Sequence, residues 1–505
     1  MKKSILALIL ALFLLLSACT PVAPSVDGDG TCLSHTDADD NGLCDVCSLS
    51  VLVVVDFFGV NDLHGKLPDA ANQPGADELT TYLKNQRESK DHMVLISVGD
   101  MWQGTAESNL TEGNMVTDWM NEMDFDAMTL GNHEFDWGED PIRENAEIAE
   151  FPFLAINIYE RKTNQQVDYC QSSLMVACGD IQIGIIGAIG DCYSSISSEH
   201  TTGIYFKTGS ELTGLVKKES DKLRKEGADF IVYVIHDGLG ETKSGTVGPT
   251  KLKSYYDTAL SDGYVDLVFE AHTHQRYVFQ DAKGVYHIQG GGDNKGITHV
   301  EIQVNSANGK HKINAAEPLS NGTYARLEGD PLIEELMEKY AEVIAPATRV
   351  VGTNSKQRSG YEMRQLVADL YYDIGMDRWG EEYDIALGGG FISIRDPGYL
   401  AKGQVTYGTL QCLFPFNNEL VLCSVSGQKL RDNFFETDHY AYYISYGDYG
   451  NRIKDNIDPN GTYYVVVDSY TSTYKYNGLT EIERFDPGVY ARDLLADYIT
   501  AGGLE

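Results

Sequence analysis

A layered α/β fold is predicted for this chain, and three observations predict it. Seven apolar, strand-like runs recur between Val51 and Phe269, several of them separated by helical stretches such as Glu78–Arg87 and Glu211–Glu226. The first run, Val51 to Phe58, is continuous and rich in β-branched residues, as a strand buried on both faces requires. Five of the runs end in His, Asp or Asn, and in layered α/β domains sites gather beyond the carboxyl ends of strands.

The chain begins with an address. Lys2-Lys3 precede an apolar run from Ile5 to Leu16 that is flanked like a signal peptide and is short for a spanning helix. Leu16-Ser17-Ala18-Cys19 resembles the lipobox of bacterial lipoproteins, in which the cysteine is lipidated and the chain is cut before it. Residues 1–19 are therefore read as a lipoprotein signal peptide, with Cys19 as the lipidated residue. The expected location is extracytoplasmic, touching the bacterial membrane through the lipid alone. No later segment is long and apolar enough to span a bilayer.

Residues 20–50 form a tether and a small knob. Thr20 to Gly30 is rich in Pro, Gly, Ser and Asp and should be flexible. Cys32, His35, Cys44 and Cys47 then have the spacing of a tetrahedral zinc set. Asp37, Asp39, Asn41 and Gly42 also resemble the first half of a calcium-binding EF-hand loop, but Ser48 stands where the closing Glu belongs. Structural zinc is the preferred reading; calcium and a disulfide are the alternatives. So few residues cannot build a core without a staple.

From residue 51 to about 325 the first large domain is expected. After the first run comes Asn61-Asp62-Leu63-His64-Gly65, and Met93 to Val98 leads into Gly99-Asp100. Phe125 to Leu130 leads into Gly131-Asn132-His133-Glu134-Phe135-Asp136. Phe153 to Ile156 and Ile181 to Ile189 are further strands. Phe230 to Ile235 ends in His236-Asp237-Gly238, and Val265 to Phe269 in His272-Thr273-His274. Amide, imidazole and carboxylate brought together at a sheet mouth can hold a metal and handle protons. A β-like stretch from Gly296 to Val304 closes the domain. Cys170 and Cys178 flank a hairpin and are candidates for a disulfide across it.

Residues 326–348 read as a linker helix: Asp330 caps it, Pro331 takes its first position, and Pro346 ends it. Its apolar face is expected to pack, not to bind a partner. A second, smaller α/β domain should occupy residues 349–505.

Composition bounds the rest. The chain has 505 residues, 42% of them hydrophobic, which is enough for two cores. A formal net charge of −36 argues against a nucleic-acid polymer as partner, since phosphate binding needs clustered Lys and Arg. A small phosphorylated substrate would need local positive charge from metal ions or a few arginines. The oligomeric state is not encoded in any feature of the sequence.

Taken in order, Asn-Asp-x-His-Gly, Gly-Asp, Gly-Asn-His-Glu-Phe-Asp, His-Asp-Gly and Ala-His-Thr-His resemble the calcineurin-like metallophosphoesterases. More narrowly, they resemble the secreted 5′-nucleotidase and UDP-sugar hydrolase family. The resemblance implies an αββα catalytic domain with two divalent ions. Asp62, His64 and His274 would hold one ion, Asn132, His236 and His272 the other, with Asp100 bridging. His133 and Asp136 match the family's catalytic pair. Mixed oxygen and imidazole ligands suit Zn, Mn, Fe or Co better than Mg. The activity implied is release of phosphate from nucleoside 5′-monophosphates. UDP-sugar or 2′,3′-cyclic-nucleotide hydrolysis on the same site, and nucleotide binding without turnover, are the alternatives.

The last third resembles the same family's substrate-binding domain, through Met363–Asp369, Asp384–Phe391 with Arg395, Gly403–Gly408 and Leu413–Val421. By resemblance, Arg395 reaches phosphate and Phe416 stacks on the base, while Gly389 and Gly390 let backbone approach the ligand. Whether Arg358 or Arg364 also contacts phosphate is not given by the resemblance. Gly388 stands where the family has Asn, and two extra residues precede Arg395. The family's Gly-Gly-Asp-Gly turn is replaced by Ser472-Thr-Tyr474-Lys-Tyr476-Asn-Gly478, so Tyr474 or Tyr476 is expected to supply the second stacking ring.

Overall fold

The structure is a computed structural model that describes residues 32, 35–69, 75–239, 258–395, 397–435, 442–445 and 457–504. The signal peptide with Cys19 and the tether lie outside the described residues. Among those described, no helix is long and apolar enough to cross a membrane.

The strands β1 (Leu52–Val60), β2 (Met93–Ser97), β3 (Ala127–Thr129) and β4 (Phe153–Leu154) run parallel in one sheet. After them, β5 (Ile158–Glu160) and β8 (Ile204–Phe206) form a small pair. A second sheet is built from β6 (Ser173–Cys178), β7 (Ile181–Ile189), β9 (Phe230–His236), β10 (Leu267–Glu270), β11 (Arg276–Gln280) and β12 (Tyr286–Gly290). The chain then returns through β13 (Gly296–Asn305), antiparallel to β1, and β14 (His311–Ser320), so the first sheet has the order β14-β13-β1-β2-β3-β4.

Alternation along each strand explains the layers. In β1, Val55 and Phe57 face Ile183, Val232 and Phe269 of the second sheet, while Phe58 and Val60 join helix residues Leu79, Leu83 and Trp119. The outer face of the second sheet is covered by helix Gly209–Lys225 through Leu212, Val216 and Leu223. Helix, sheet, sheet and helix stack in that order, and the inner strands are buried on both faces. This is the reason their sequences read as largely apolar runs.

The linker differs from its expectation. Helix Leu332–Lys339 ends at Tyr340, and a short turn, Ala341–Ile344, resumes after it. No Pro or Gly marks the break; Tyr340 Oη and Lys339 Nζ both bond Asp118 Oδ2, at 2.6 and 2.5 Å, and tertiary contact overrides the period. Pro331 occupies the cap position before Leu332, and Asp330 Oδ1 accepts from Leu332 N at 3.0 Å. Leu332, Ile333 and Leu336 pack into the first domain's core, as the apolar face implied.

The second domain has a five-stranded sheet ordered Tyr442–Ser445, Ile385–Phe391, Thr462–Asp468, Leu420–Ser426, Leu479–Arg484. Helix Gly360–Trp379, started by a Ser359/Glu362 capping box, lies on it. The glycine that replaces the family's Asn has a packing reason: a Cβ on Gly388 would sit 2.2 Å from Tyr372 N of that helix. The Cys170–Cys178 disulfide is not formed. Both are buried thiols, Cys170 in the helix-side core of the first sheet and Cys178 between the two sheets.

Candidate active site

The loops that leave β1, β2, β3, β9 and β10 converge, and all seven expected metal-type residues lie at those strand ends. Asp62, His64 and His274 present ligand atoms within 4.8 Å of one another, and so do Asp62, Asp100 and His236. His64 Nε2 faces His274 Nε2 at 3.1 Å, and His274 Nε2 is 3.4 Å from Asp62 Oδ1. His236 Nε2 is 3.1 Å from Asp100 Oδ2. Each of two imidazoles is fixed from behind by a backbone carbonyl: His64 Nδ1 donates to Gln103 O and His236 Nδ1 to Val98 O, both at 2.7 Å. The proton then sits on Nδ1 and the lone pair of Nε2 points inward, the form a metal needs.

Other details fit a metal. Asn132 Oδ1 is buried and has no hydrogen-bond partner among the described residues, a cost that cation binding would relieve. Asp62, His64, Asp100, His272 and His274 all have left-handed backbones, with φ of 50°, 52°, 55°, 66° and 52°. Non-glycine residues adopt that conformation at a cost of about 1–2 kcal/mol each, and such strain clusters at functional sites.

His133 sits at the edge of this cluster. Its backbone N donates to Asp100 Oδ1 at 2.8 Å, and its Nδ1 is 2.7 Å from Asp136 Oδ2. Arg395, from the second domain, donates Nη2 to His133 Nε2 at 2.7 Å. An arginine has no acceptor, so Nε2 must be the accepting nitrogen and the ring proton sits on Nδ1 against Asp136. Arg395 makes this contact with the two extra residues before it in place. Its guanidinium also lies 5.3 Å from the ring centre of Phe416, which stacks at 5.9 Å on His133.

A cavity of about 360 Å³ opens between the domains, lined by Asn132, His133, Asp136, Arg395, Phe416 and Tyr470 among others. Two sequence expectations are corrected here, for Tyr476 and for Gly389 with Gly390. Tyr476 is buried in the second domain against Phe434, with ring centres 4.4 Å apart, and does not line the cavity; Tyr470 does. The side chain of Tyr474 is outside the described residues. Gly389 and Gly390 lie within the sheet, paired with Ile444 and Tyr443, and are not in the cavity wall. Arg364 donates Nε to Ile392 O at 3.0 Å and Arg358 donates Nη2 to Leu504 O at 3.0 Å; neither lines the cavity.

Sequence reasoning missed several residues that build the site. Buried Glu134 accepts from the N–H groups of Gly131, Asp100 and Met101 at 2.6, 2.9 and 2.8 Å, tying two ligand loops together. Burial and the neighbouring Asp100 push its carboxyl up to about 7. Arg492 donates to the carbonyls of Phe414 and Pro415 and to Asn417 Oδ1, each at 3.0 Å, and so holds the loop that carries Phe416. Cys192 Sγ lies with ring nitrogens of His236 and His272 within 4.8 Å. Apart from the bond between Gly131 and Glu134, these contacts join residues far apart in sequence.

Asp468 lines the same cavity, accepts from Thr471 N at 2.7 Å, and is raised by burial from 3.8 to about 6. As pH rises past about 4 the unfolded chain ionises first, so the folded state carries a growing cost that is complete above about 6, reaching about 3 kcal/mol. Urea unfolding of Asp468→Asn and its parent is expected to show a stability gap that widens in the variant's favour from pH 4 to 7. A gap independent of pH would contradict this.

Fold and cluster together define a metal-dependent phosphoesterase. Residues 56–276 match the calcineurin-like phosphoesterase family and residues 341–480 the 5′-nucleotidase C-terminal domain. Protein UshA of Yersinia enterocolitica is 26% identical over 414 residues, covering 74% of this chain and 72% of that one. Endonuclease YhcR of Bacillus subtilis is 25% identical over 413 residues, but the match spans only 32% of its length. The solved 5′-nucleotidase precursor of Thermus thermophilus superposes with a TM-score of 0.65 at 19% identity, covering 89% of this chain and 96% of that one. The chain belongs to the calcineurin-like phosphoesterases that carry a 5′-nucleotidase C-terminal domain.

Proposed function

We propose that the protein is an exported hydrolase that releases phosphate from nucleoside 5′-monophosphates. The observation that carries this reading is the contact between Arg395 and His133 at the wall of a cavity that both domains line. A phosphate group placed there meets an arginine fork from one domain and an imidazole–carboxylate pair from the other. Phe416 and Tyr470 offer ring faces in the same cavity for a base.

Asp62, His64 and His274 would hold one divalent ion, and Asn132, His236 and His272 a second, with Asp100 shared. Bound there, the ions would clamp the phosphoryl group and supply an activated water. The chain's own residues do the rest. When substrate displaces Arg395, His133 Nε2 takes up a proton from solvent and donates it to a substrate oxygen, and the guanidinium is freed to fork onto phosphate oxygens. Asp136 keeps the imidazole oriented, and His133 offsets charge that develops on the phosphate or leaving oxygen. Export rests on the leader sequence and on the lipobox at Cys19.

The test is phosphate release from AMP, UMP, UDP-glucose, 2′,3′-cyclic AMP and bis-p-nitrophenyl phosphate, with Mn or Zn added. The 5′-monophosphates are expected to be turned over with the highest kcat/KM. Turnover confined to the diester or the UDP-sugar would replace the substrate and keep the chemistry. The endonuclease relative makes single-stranded DNA a useful further substrate; the net charge of −36 predicts no cleavage. No turnover of any of them would leave a nucleotide-binding protein.

A further inference from the structure

Among its described residues, the knob before β1 has almost nothing apolar to hold it together. Leu43, Val46 and Leu49 are exposed, at 46%, 40% and 63%, and Cys44 is its buried apolar residue. Yet its four soft ligands are gathered: a sulfur or ring nitrogen from each of Cys32, His35, Cys44 and Cys47 lies within 4.8 Å of all the others. Cys32 Sγ is 3.7 Å from Cys44 Sγ, and Cys47 Sγ is 3.6 Å from His35 Nδ1. A zinc tetrahedron with metal–sulfur bonds of about 2.3 Å and metal–nitrogen bonds of about 2.0–2.1 Å has sulfur–sulfur edges of about 3.8 Å and sulfur–nitrogen edges of about 3.5–3.6 Å. Both separations match. A disulfide would bring two sulfurs to about 2.05 Å, which 3.7 Å excludes in this arrangement.

A further feature points the same way. The carboxylates that suggested calcium are already engaged as acceptors. Asp37 takes the N–H groups of Asn41 and Gly42, both at 2.9 Å, and the side-chain amide of Asn305 at 2.7 Å. Asp39 accepts from Asn41 Nδ2 and Asp45 from Ala38 N, both at 2.9 Å. They shape the loop instead of forming a cage of six to eight oxygens.

We propose that Cys32, His35, Cys44 and Cys47 bind one structural zinc ion, separate from the catalytic ions, that folds the knob and clasps it to the first domain. The clasp has named points. Asp40 meets Lys310 Nζ at 2.8 Å and Asn308 Nδ2 at 3.2 Å, on the turn between β13 and β14. Val51 N donates to Gly42 O at 3.0 Å, and Ser306 N to Val51 O at 2.8 Å. The zinc thus secures the entry to β1, whose far end, about 26 Å away at 3.3 Å per residue, delivers Asp62 and His64.

The test uses the chain with its knob intact, as the parent and as Asp100→Asn, beside Cys44→Ser/Cys47→Ser. After dialysis against a weak chelator, elemental analysis is expected to find one zinc per Asp100→Asn chain and one fewer zinc in the double-Ser variant than in the parent. Cobalt substitution should give thiolate-to-cobalt charge-transfer absorption in Asp100→Asn. Knob thiols should react with a thiol reagent only after a strong chelator is added. The reading is overturned if Asp100→Asn holds no zinc, or if a non-reducing mass shows knob cysteines joined in a disulfide. These outcomes do not depend on whether the double-Ser variant folds, and none of them depends on turnover.

Discussion

Asp100→Asn is expected to strip the catalytic centre of bound metal while the fold survives. Asp100 is buried, with one oxygen 2.8 Å from His133 N and the other 3.1 Å from His236 Nε2. Asn has nearly the same shape and tolerates the φ of 55° found there, so the substitution isolates the charge. Loss of an outer-shell partner typically costs about 10–100-fold in metal affinity or activity; loss of the shared carboxylate should exceed that. Titration with Mn or Zn followed by calorimetry measures it, with circular dichroism as the check on folding. Parent-like affinity in the variant would remove Asp100 from the ligand set.

His133→Ala is expected to lower kcat by roughly 10²–10⁴-fold, or about 3–5 kcal/mol in barrier, with metal content unchanged. The side chain touches Asp136 and Arg395, while its contact with Asp100 is made by the backbone and persists in alanine. KM should move far less than kcat, because ground-state phosphate retains Arg395 and the metals. A fall in KM-controlled binding with kcat intact would make His133 a binding residue instead. Catalytic-site metal and kcat therefore separate the two substitutions: Asp100→Asn loses both, His133→Ala only the second.

Much of this site was legible before any coordinates. Strands buried on both faces must be apolar throughout, so Ile181–Ile189 and Phe230–His236 announce themselves, and polar residues just past such runs can only be at a sheet mouth. The bridging of domains was harder to read. Arg395 was named by resemblance, but its pairing with His133 depends on a separation of 262 residues. Tyr476 and Tyr470 differ by whether the chain after Asp468 turns its ring into the core or the cleft, and nothing in residue type distinguishes the two. Glu134 and Arg492 act on backbone groups, which carry no sequence signature. The interruption at Tyr340 depends on Asp118, more than 200 residues earlier in the chain.

The left-handed backbones at Asp62, His64, Asp100, His272 and His274 also restrict what descendants of this gene can become. Asn and Gly are the residues best suited to such a conformation. Asp to Asn, Asp to Gly and His to Asn each take a single nucleotide change. Those steps relieve or preserve the backbone while discarding a ligand, so a folded lineage without catalysis is one mutation away. Replacement by Val or Ile would forfeit both the ligand and the backbone geometry. Asp to Val is also a single change, so drift at these five codons divides into steps that lose a ligand but keep the backbone and steps that lose both.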